Sequence, residues 1–299
     1  MGRFAQILNR LERVLELSEF ALRERVAAPA DAEALERGRA FRWQASERAG
    51  RLVSIDSPEL FDLADLIGVE RAVERLVANT ERFLAGHPAQ HVLLYGERGT
   101  GKSSAVRGLL QRFGAEGLRI VEIRKRDMFE FAALGDALRG APQRFLLFCD
   151  DLSFSADEPG FREFKAALEG RLVGLPENCR VVATSNRRQL LAQTLADNQG
   201  ARLDTAGELH VGESLDEKLA LADRFGLTLG FYPFDQATYL RIVDHYARRA
   251  GLRSPPEEIR RRALRWALDR SSRSGRSARH FVNELAGEEA LGAGNRADP

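Results

Sequence analysis

Short apolar runs alternate with amphipathic segments through the middle of the chain. Because these runs are apolar throughout, we expect both of their faces to be covered, as in a parallel sheet. Strands that alternate with helices predict an α/β fold with a doubly wound parallel sheet. The predicted strands are residues 91–95, 118–123, 144–151 and 179–186. The predicted helices cover about residues 69–85, 102–113, 129–139 and 161–170.

The N-terminal region follows a different pattern. Apolar side chains recur at helical spacing over residues 4–26, and the segment AEALERGRAFRW, which contains Phe41 and Trp43, also indicates a helix. We therefore assign residues 1–60 to an N-terminal helical extension. Two roles stay open for this extension, since it can pack against the main domain or bind a partner.

The C-terminal region also departs from the alternation. Aromatic residues, glycines and a proline interrupt it in DRFGLTLGFYPF, and helical spacing then returns. We predict a main α/β domain, a small all-helical domain and a disordered tail. The helices of the small domain are expected at about residues 235–250, 256–270 and 276–285. The three units are assigned to residues 61–228, 229–288 and 289–299.

Composition narrows the class of protein. The chain has 299 residues, of which 44% are hydrophobic and 30% are charged, as in a globular protein with a core. A net charge of +1 favours neither nucleic acid nor a membrane surface as partner. The two cysteines, Cys149 and Cys179, have neither metal-site nor disulfide spacing, which is typical of a reducing compartment. Without a signal-peptide pattern or a long apolar run, we expect a cytoplasmic protein with no membrane partner.

The segment GERGTGKSS follows a predicted strand and opens a predicted helix. It matches the phosphate-binding pattern G-x-x-x-x-G-K-[ST] at every fixed position. Glycines let backbone N–H groups curl around phosphate oxygens, Lys102 supplies a positive charge, and the Ser103 hydroxyl is a ligand for Mg²⁺. We therefore predict a nucleotide site. Its cradle consists of Gly96, Glu97, Arg98, Gly99, Thr100, Gly101, Lys102, Ser103 and Ser104.

Polar side chains stand where two later strands end. RFLLFCDD ends in Asp150 and Asp151, and VVATSN ends in Asn186. Ligands of doubly wound sheets bind at the carboxyl ends of the strands. We predict that Asp150 holds Mg²⁺, directly or through water, and that Asp151 orients or deprotonates the attacking water. Asn186 is placed to bond the γ-phosphate or the water.

Three arginines are candidates for contact with the γ-phosphate. Arg224 lies in LADRFGL, and Arg276 and Arg279 lie in RSGRSARHF. A guanidinium group stabilises the charge that spreads over a transferring phosphoryl group, from the same subunit or from a neighbouring one.

The order of these motifs resembles that of AAA+ ATPases over about residues 61–288. The matching segments are LIGVERA, LLYGERGTGKSS, LLFCDDLSF, VVATSNRR, ADRFGL and SGRSARHF. In that family these positions form an adenine-side segment, Walker A, Walker B, sensor 1, arginine finger and sensor 2. More closely, the chain is similar to the bacterial DUF815 family of predicted ATP-binding proteins, through YGERGTGKSS, DDLSF, ATSNRR and DRFGLTLGFYPF.

The resemblance implies that ATP and Mg²⁺ are the cofactors. Asn186 then corresponds to sensor 1, Arg224 to the arginine finger, and Arg276, in preference to Arg279, to sensor 2. AAA+ proteins usually carry Glu at the position of Asp151, so the shorter side chain here predicts slow turnover. The residues expected near the adenine are Leu66, Ile67 and Gly68.

By the same resemblance, the chain is expected to form a homo-oligomeric ring or open ring. ATP hydrolysis at the subunit interface would remodel or release an unknown protein client. The alternative is a slow ATP-dependent switch or adaptor, related to nucleic acid or to helicase loading, and a P-loop kinase is a third reading. Residues 260–279 contain eight arginines, but for them we favour a solvated helix face over nucleic-acid binding.

Overall fold

A computed structural model provides the fold of the chain. It describes residues 31–45, 50–152, 159–168, 174–186, 202–203, 209–210 and 224–294. The predicted helix over residues 4–26 and the last five residues of the predicted tail lie outside the described residues.

Seven strands of the described chain form one sheet. In chain order they are β1 (Ala40–Gln44), β2 (Arg51–Ser54), β3 (Val92–Gly96), β4 (Leu118–Glu122), β5 (Arg144–Cys149), β6 (Cys179–Ser185) and β9 (Leu227–Phe231). Their order across the sheet is β2-β1-β4-β5-β6-β3-β9. All neighbours are parallel except β1 and β2, which are antiparallel. Two further short strands, β7 (Arg202–Leu203) and β8 (Leu209–His210), pair with each other.

Eight described helices accompany the sheet. They are α1 (Ala32–Arg37), α2 (Glu70–Leu84), α3 (Lys102–Phe113), α4 (Phe131–Leu138), α5 (Pro159–Leu168), α6 (Gln236–Arg249), α7 (Pro256–Asp269) and α8 (Gly275–Gly294). Short 3-10 turns cover Leu63–Asp65, Gly114–Glu116 and Lys125–Glu130.

Helices cover both faces of the sheet. One buried cluster joins α2 and α3 to side chains such as Val92 and Leu94 on β3. The other joins α4 and α5 to the opposite face, where Leu93 is fully buried. The alternation of neighbouring residues between two apolar layers explains why the central strands are apolar throughout. The prediction of an α/β, doubly wound sheet is therefore confirmed.

A third cluster lies within the C-terminal helices. The fully buried Tyr239 on α6 packs with Ala263 on α7 and with Phe281 on α8. These three helices therefore have a core of their own, as the sequence predicted for a small helical domain.

The N-terminal segment differs from the prediction. The structure ends α1 at Arg37 and forms strand β1, which pairs in parallel with β4. In AFRWQ the aromatic residues Phe41 and Trp43 alternate with polar ones, so a strand buries both rings on one face, whereas a helix would separate them. The Trp43 indole N–H donates to the Glu130 carboxylate over 2.9 Å. Strands β1 and β2 are thus part of the main sheet and not of a helical extension.

The segment that interrupts the alternation in the sequence contains β9. Its buried residues Leu227, Leu229 and Phe231 alternate with Thr228 and Gly230, the period of two expected for an edge strand. The aromatic and glycine content concealed this period. The predicted boundary at residue 228 therefore falls inside the last strand of the sheet.

The last helix is longer than predicted. α8 continues to Gly294, past the predicted start of the tail. The Glu289 carboxylate accepts hydrogen bonds from the Ser254 hydroxyl at 2.6 Å and from the Arg253 backbone N–H at 2.8 Å. These hydrogen bonds to the loop before α7 stabilise the last turns of α8, which extend past the apolar residues that predicted the helix.

Replacement of Trp43 tests whether β1 belongs to the folded core. Trp43→Ala should lower the free energy of unfolding by about 3–5 kcal/mol, because the side chain is fully buried and loses its bond to Glu130. Phe129→Ala is the control, since that ring is 53% exposed, and should change the value by less than about 0.5 kcal/mol. Urea unfolding monitored by circular dichroism measures both, and equal effects would contradict the assignment.

Candidate functional site

The glycine loop, the acidic pair and Asn186 lie at one edge of the sheet. β5, β6 and β3 are consecutive neighbours and run parallel, so their carboxyl ends meet. The loop follows β3, Asp150 and Asp151 follow β5, and Asn186 follows β6. The residues predicted from the sequence are therefore brought together where doubly wound sheets bind ligands.

Close packing requires glycine at two positions of the loop. Gly96 has a φ of 140°, and a Cβ atom there would lie 1.9 Å from the carbonyl oxygen of Phe231. Gly101 has a φ of 104°, and its Cβ atom would lie 2.5 Å from the Leu66 side chain. Glycine at these two positions thus lets the loop pass close to Phe231 and Leu66 in a left-handed conformation.

Lys102 begins α3 and is buried. Its ammonium group donates hydrogen bonds to the carbonyl oxygens of Gly96 at 2.8 Å and Glu97 at 2.7 Å. A third bond reaches the Asn186 side-chain oxygen at 3.2 Å. The Lys102 ammonium group therefore bridges the glycine loop and the residue that follows β6.

Charged groups surround the Lys102 ammonium. Burial is the main cause that lowers its pKa below the ordinary value. The carboxylates of Asp150 and Asp151 act in the opposite direction. The guanidinium groups of Arg276 and Arg98 lower the pKa further. Three cationic side chains therefore lie near the glycine loop, as an anion-binding site requires.

Asp150 lies where three elements meet. Its Oδ1 atom accepts hydrogen bonds from the Ser103 hydroxyl and the Thr184 hydroxyl, each at 2.6 Å. The backbone N–H of Asp151 reaches the same oxygen at 3.2 Å. Hydroxyl and carboxylate oxygens are the ligands that Mg²⁺ prefers, so the predicted pair of Ser103 and Asp150 fits this ion.

Asp151 is held in an uncommon backbone conformation. Its φ of 50° lies in the left-handed region, which Asp enters more readily than most residues. One of its carboxylate oxygens accepts a hydrogen bond from the Asn186 amide, and the other lies 3.8 Å from the Arg98 guanidinium. The carboxylate is therefore oriented, yet its side chain remains 62% exposed and open to a water molecule.

A cavity of about 650 Å³ lies between the sheet and the helical domain. Residues of the glycine loop, Asp150 and Asp151 line it, and so do several apolar and aromatic side chains. Ile67 is among these apolar lining residues, together with Ile242 and Tyr246 of α6. Leu66 also lines the cavity.

Gly68 does not line this cavity. A Cβ atom on Gly68 would lie 2.4 Å from the Thr238 side chain of α6, and its N–H donates to the Glu70 carboxylate over 2.9 Å. Its φ of 85° turns the chain between the cavity segment and α2. The structure therefore gives Gly68 a role in the turn and in packing against the helical domain.

Both candidates for sensor 2 line the cavity. The backbone N–H of Arg276 donates to the Gly99 carbonyl oxygen at 3.3 Å, so this residue adjoins the glycine loop. Burial mainly raises the pKa of Tyr246, and the positive charge of Arg279 opposes this shift. Arg276 thus adjoins the glycine loop, whereas the charge of Arg279 acts on Tyr246 of α6.

Arg224 lies away from these residues. It precedes β9 by three positions, and β9 runs parallel to β3. Arg224 is therefore near the amino ends of the strands, whereas the glycine loop is at their carboxyl ends. A strand of five residues spans about 16 Å. Arg224 does not line the cavity of its own subunit.

Several cavity or edge residues were missed from the sequence. Thr184 bonds both acidic residues, and Tyr246, His280 and Asn283 line the cavity. A polar residue inside the apolar run VVAT was an available signal for Thr184. His280 and Asn283 lie one and two turns beyond Arg276 on α8, so helical spacing from Arg276 would have found them.

Ionic contacts join α6 to the segment beside the cavity. Asp65 accepts hydrogen bonds from Arg249 and from His245, whose Nε2 atom lies 2.7 Å away. Arg241, one turn earlier on the same face, pairs with Glu70 at 3.2 Å. Because the Asp65 side chain is only 9% exposed, this contact is screened less than a surface pair. It stabilises the observed arrangement of the helical domain beside the sheet domain.

Replacement of Asp65 measures the strength of this contact. Asp65→Ala should lower the free energy of unfolding by about 1–3 kcal/mol, because two basic side chains lose their acceptor. Glu74→Ala removes an exposed carboxylate from α2 and should cost less than about 0.5 kcal/mol. Thermal unfolding of the two variants and the unaltered chain provides the comparison. Indistinguishable curves would mean that the contact contributes nothing.

Comparisons with known proteins give a family and a fold for this chain. Residues 36–289 match a family model described as "Protein of unknown function (DUF815)". No curated protein matches the chain. A solved structure of a lysine-to-arginine mutant of Thermotoga maritima RuvB is similar with a TM-score of 0.50 and 16% identity, over 74% of this chain and 63% of RuvB. An alanine-to-serine mutant of RuvB gives a TM-score of 0.49 at the same identity and the same coverage.

The RuvB structure with a TM-score of 0.50 shows the fold. The chain has an α/β fold like that of RuvB, with a helical C-terminal region. It spans 63% of the length of the RuvB chains that it matches. No α-helix in the part of the chain that the structure describes combines the length and apolar character of a membrane span.

Proposed function

This chain belongs to the DUF815 family, whose description is a protein of unknown function, and we propose that it is an AAA+ ATPase that binds and hydrolyses Mg-ATP. One observation carries the proposal. The glycine loop with Lys102, the acidic pair after β5 and Asn186 after β6 converge at the mouth of one cavity. Phosphate binding, metal binding and activation of water need these three groups side by side.

The cavity suits a nucleoside triphosphate. Backbone N–H groups of the glycine loop and the Lys102 ammonium bind the phosphates, with Arg276 beside them. Ile67, Ile242 and Tyr246 offer the apolar and aromatic surface that a base requires. ATP is the nucleotide that we propose, on the AAA+ fold.

Ser103 and Asp150 would hold Mg²⁺, since their oxygens already lie 2.6 Å apart. When bound there, Mg²⁺ supplies positive charge to the β- and γ-phosphates. Asp151 orients a water molecule for attack on the γ-phosphorus and accepts its proton, while the Asn186 amide holds the Asp151 carboxylate in place. Arg276 stabilises the charge that develops on the γ-phosphate oxygens.

The location of Arg224 supports an oligomer. At the amino ends of the strands, it is too far from its own glycine loop to contact the γ-phosphate there. We propose that Arg224 contacts the ATP of a neighbouring copy, in a ring or open ring of identical chains. Nucleotide turnover would then change the angle between the sheet and helical domains and act on a protein client.

Nucleic acid is a less favoured partner. Within the arginine-rich segment, Arg260 pairs with Asp244 at 2.7 Å, and Arg262 pairs with Glu288. Arg276 and Arg279 face the cavity. Charges that are already paired or committed to the cavity contribute less to a phosphate-backbone surface.

A slow ATP-dependent switch is the second candidate function. Asp151 is shorter than Glu, and both of its carboxylate oxygens have neighbours, Asn186 and Arg98. These contacts compete with water for the carboxylate and would slow turnover. Addition of cell extract distinguishes the two functions, because a remodelling ATPase should accelerate with its client, whereas a switch should stay slow.

Two variants at the carboxyl edge should separate binding from hydrolysis. Lys102→Ala should abolish ATP binding, because the loop loses its buried charge. Asp151→Asn should bind ATP normally and lower the turnover number at least about 100-fold, because the amide accepts no proton from water. Filter retention of labelled ATP and phosphate release measure the two properties. Asp136→Asn, on the exposed face of α4, is the control and should behave like the unaltered chain.

The outcome that contradicts this assignment is specific. If both Asp151→Asn and the control Asp136→Asn released phosphate at the normal rate, Asp151 would not be the residue that activates water. Phosphate found on a small molecule instead of in solution would indicate a kinase.

Mixing two inactive variants tests the role of Arg224 in a neighbouring subunit. Arg224→Ala should keep ATP binding and lose turnover, and Lys102→Ala should have no turnover. In the mixture, a Lys102→Ala subunit still offers its Arg224 to the intact site of an Arg224→Ala subunit. Phosphate release should therefore recover to at least about one tenth of the normal rate. Arg82→Ala, an exposed position on α2, should leave turnover unchanged.

Absence of recovery in the mixture, with both variants folded and oligomeric, would overturn the neighbouring-subunit role. Full activity of Arg224→Ala alone would do the same.

A further inference from the structure

The pairing between β5 and β6 is regular until the end of β5. The backbone N–H of Phe145 donates to the Asn178 carbonyl, and Cys149 is opposite Ala183. In a parallel ladder this relation repeats every two residues. If the ladder continued in the same register, the backbone N–H of Asp151 would donate to the carbonyl oxygen of Thr184.

The observed bond is displaced by one residue. The Thr184 carbonyl oxygen accepts from the N–H of Leu152 at 2.7 Å. The segment that continues β5 beyond Cys149 therefore contains one extra residue relative to β6, as in a β-bulge. Asp151 is the residue with the left-handed φ of 50° at this insertion. Bulges next to functional sites commonly serve to re-aim a side chain.

The side chain of Thr184 closes the bulge. Its Oγ1 atom accepts from the displaced N–H of Asp151 at 2.8 Å and donates to the Asp150 carboxylate at 2.6 Å. A hydroxyl group has one proton to donate and lone pairs to accept, so a single Thr satisfies both contacts. Thr184 is only 1% exposed, and its side chain therefore has a fixed direction.

We propose that Thr184 is a positioning residue, whose hydroxyl sets the direction of both acidic side chains for magnesium binding and water activation. The inference rests on the proposed ATPase function and extends it to Thr184, a residue of the VVATSN segment to which the motif order assigned no role. It also gives a physical reason for Asp at position 151. The bulge requires a left-handed residue there, and Asp tolerates that conformation better than Glu.

Thr184→Val and Thr184→Ser form a matched pair for the test. Val has the shape of Thr without the hydroxyl, whereas Ser keeps the hydroxyl without the methyl group. Thr184→Val should lower the turnover number about 10- to 100-fold and raise the Mg²⁺ concentration for half-maximal activity by a similar factor. Its affinity for a fluorescent ATP analogue in EDTA should stay within about twofold of normal, because the glycine loop is unchanged. Thr184→Ser should stay within about threefold in every measurement.

Three results would overturn the inference. Thr184→Val could keep the normal turnover number and Mg²⁺ requirement while the unaltered chain hydrolyses ATP. Thr184→Ser could fail as Thr184→Val does, which would indicate a packing role for the methyl group. Equal losses of affinity with and without Mg²⁺ would indicate general damage to the site. If the unaltered chain itself neither bound nor hydrolysed ATP, the proposed function would fail first, and this inference with it.

Discussion

One carboxylate oxygen, Oδ1 of Asp150, connects the parts of the candidate site. It accepts hydrogen bonds from Ser103 on α3, from Thr184 on β6 and from the backbone of Asp151. Three donors on one edge require that the carboxyl ends of three strands meet, and the strand order provides this. The oxygen atoms of Ser103 and Asp150 are the kind of ligand that a hard cation such as Mg²⁺ prefers. The strand order therefore brings together the three donors that hold the Asp150 carboxylate.

The helical domain completes the site from the opposite side. Arg276 adjoins the glycine loop, and Ile242 and Tyr246 line the cavity. Contacts such as that of His245 with Asp65 stabilise the helical domain beside the cavity segment. A ligand in this cavity would touch both domains at once, so its chemistry would be coupled to their relative orientation. Such a coupling would be the physical basis for either of the two proposed functions.

The sequence predicted what local spacing determines. The glycine loop has fixed positions, and Asp150 and Asn186 end apolar runs, so topology alone brings them together. β1 and β9 were missed because their parallel partners, β4 and β3, are distant in sequence, and because their aromatic and glycine content resembles other structures. Thr184 was missed because its role depends on a one-residue shift between two strands, which no periodicity reports. Gly68 carries a turn where the motif order suggested contact with a base.

A structure of the chain bound to a non-hydrolysable ATP analogue and Mn²⁺ tests the central claim most directly. Mn²⁺ scatters anomalously and replaces Mg²⁺ among oxygen ligands. We expect one anomalous peak beside the Ser103 hydroxyl and the Asp150 carboxylate, with the phosphates against the glycine loop. Nucleotide bound elsewhere, or a metal peak away from these two side chains, would contradict the proposed site.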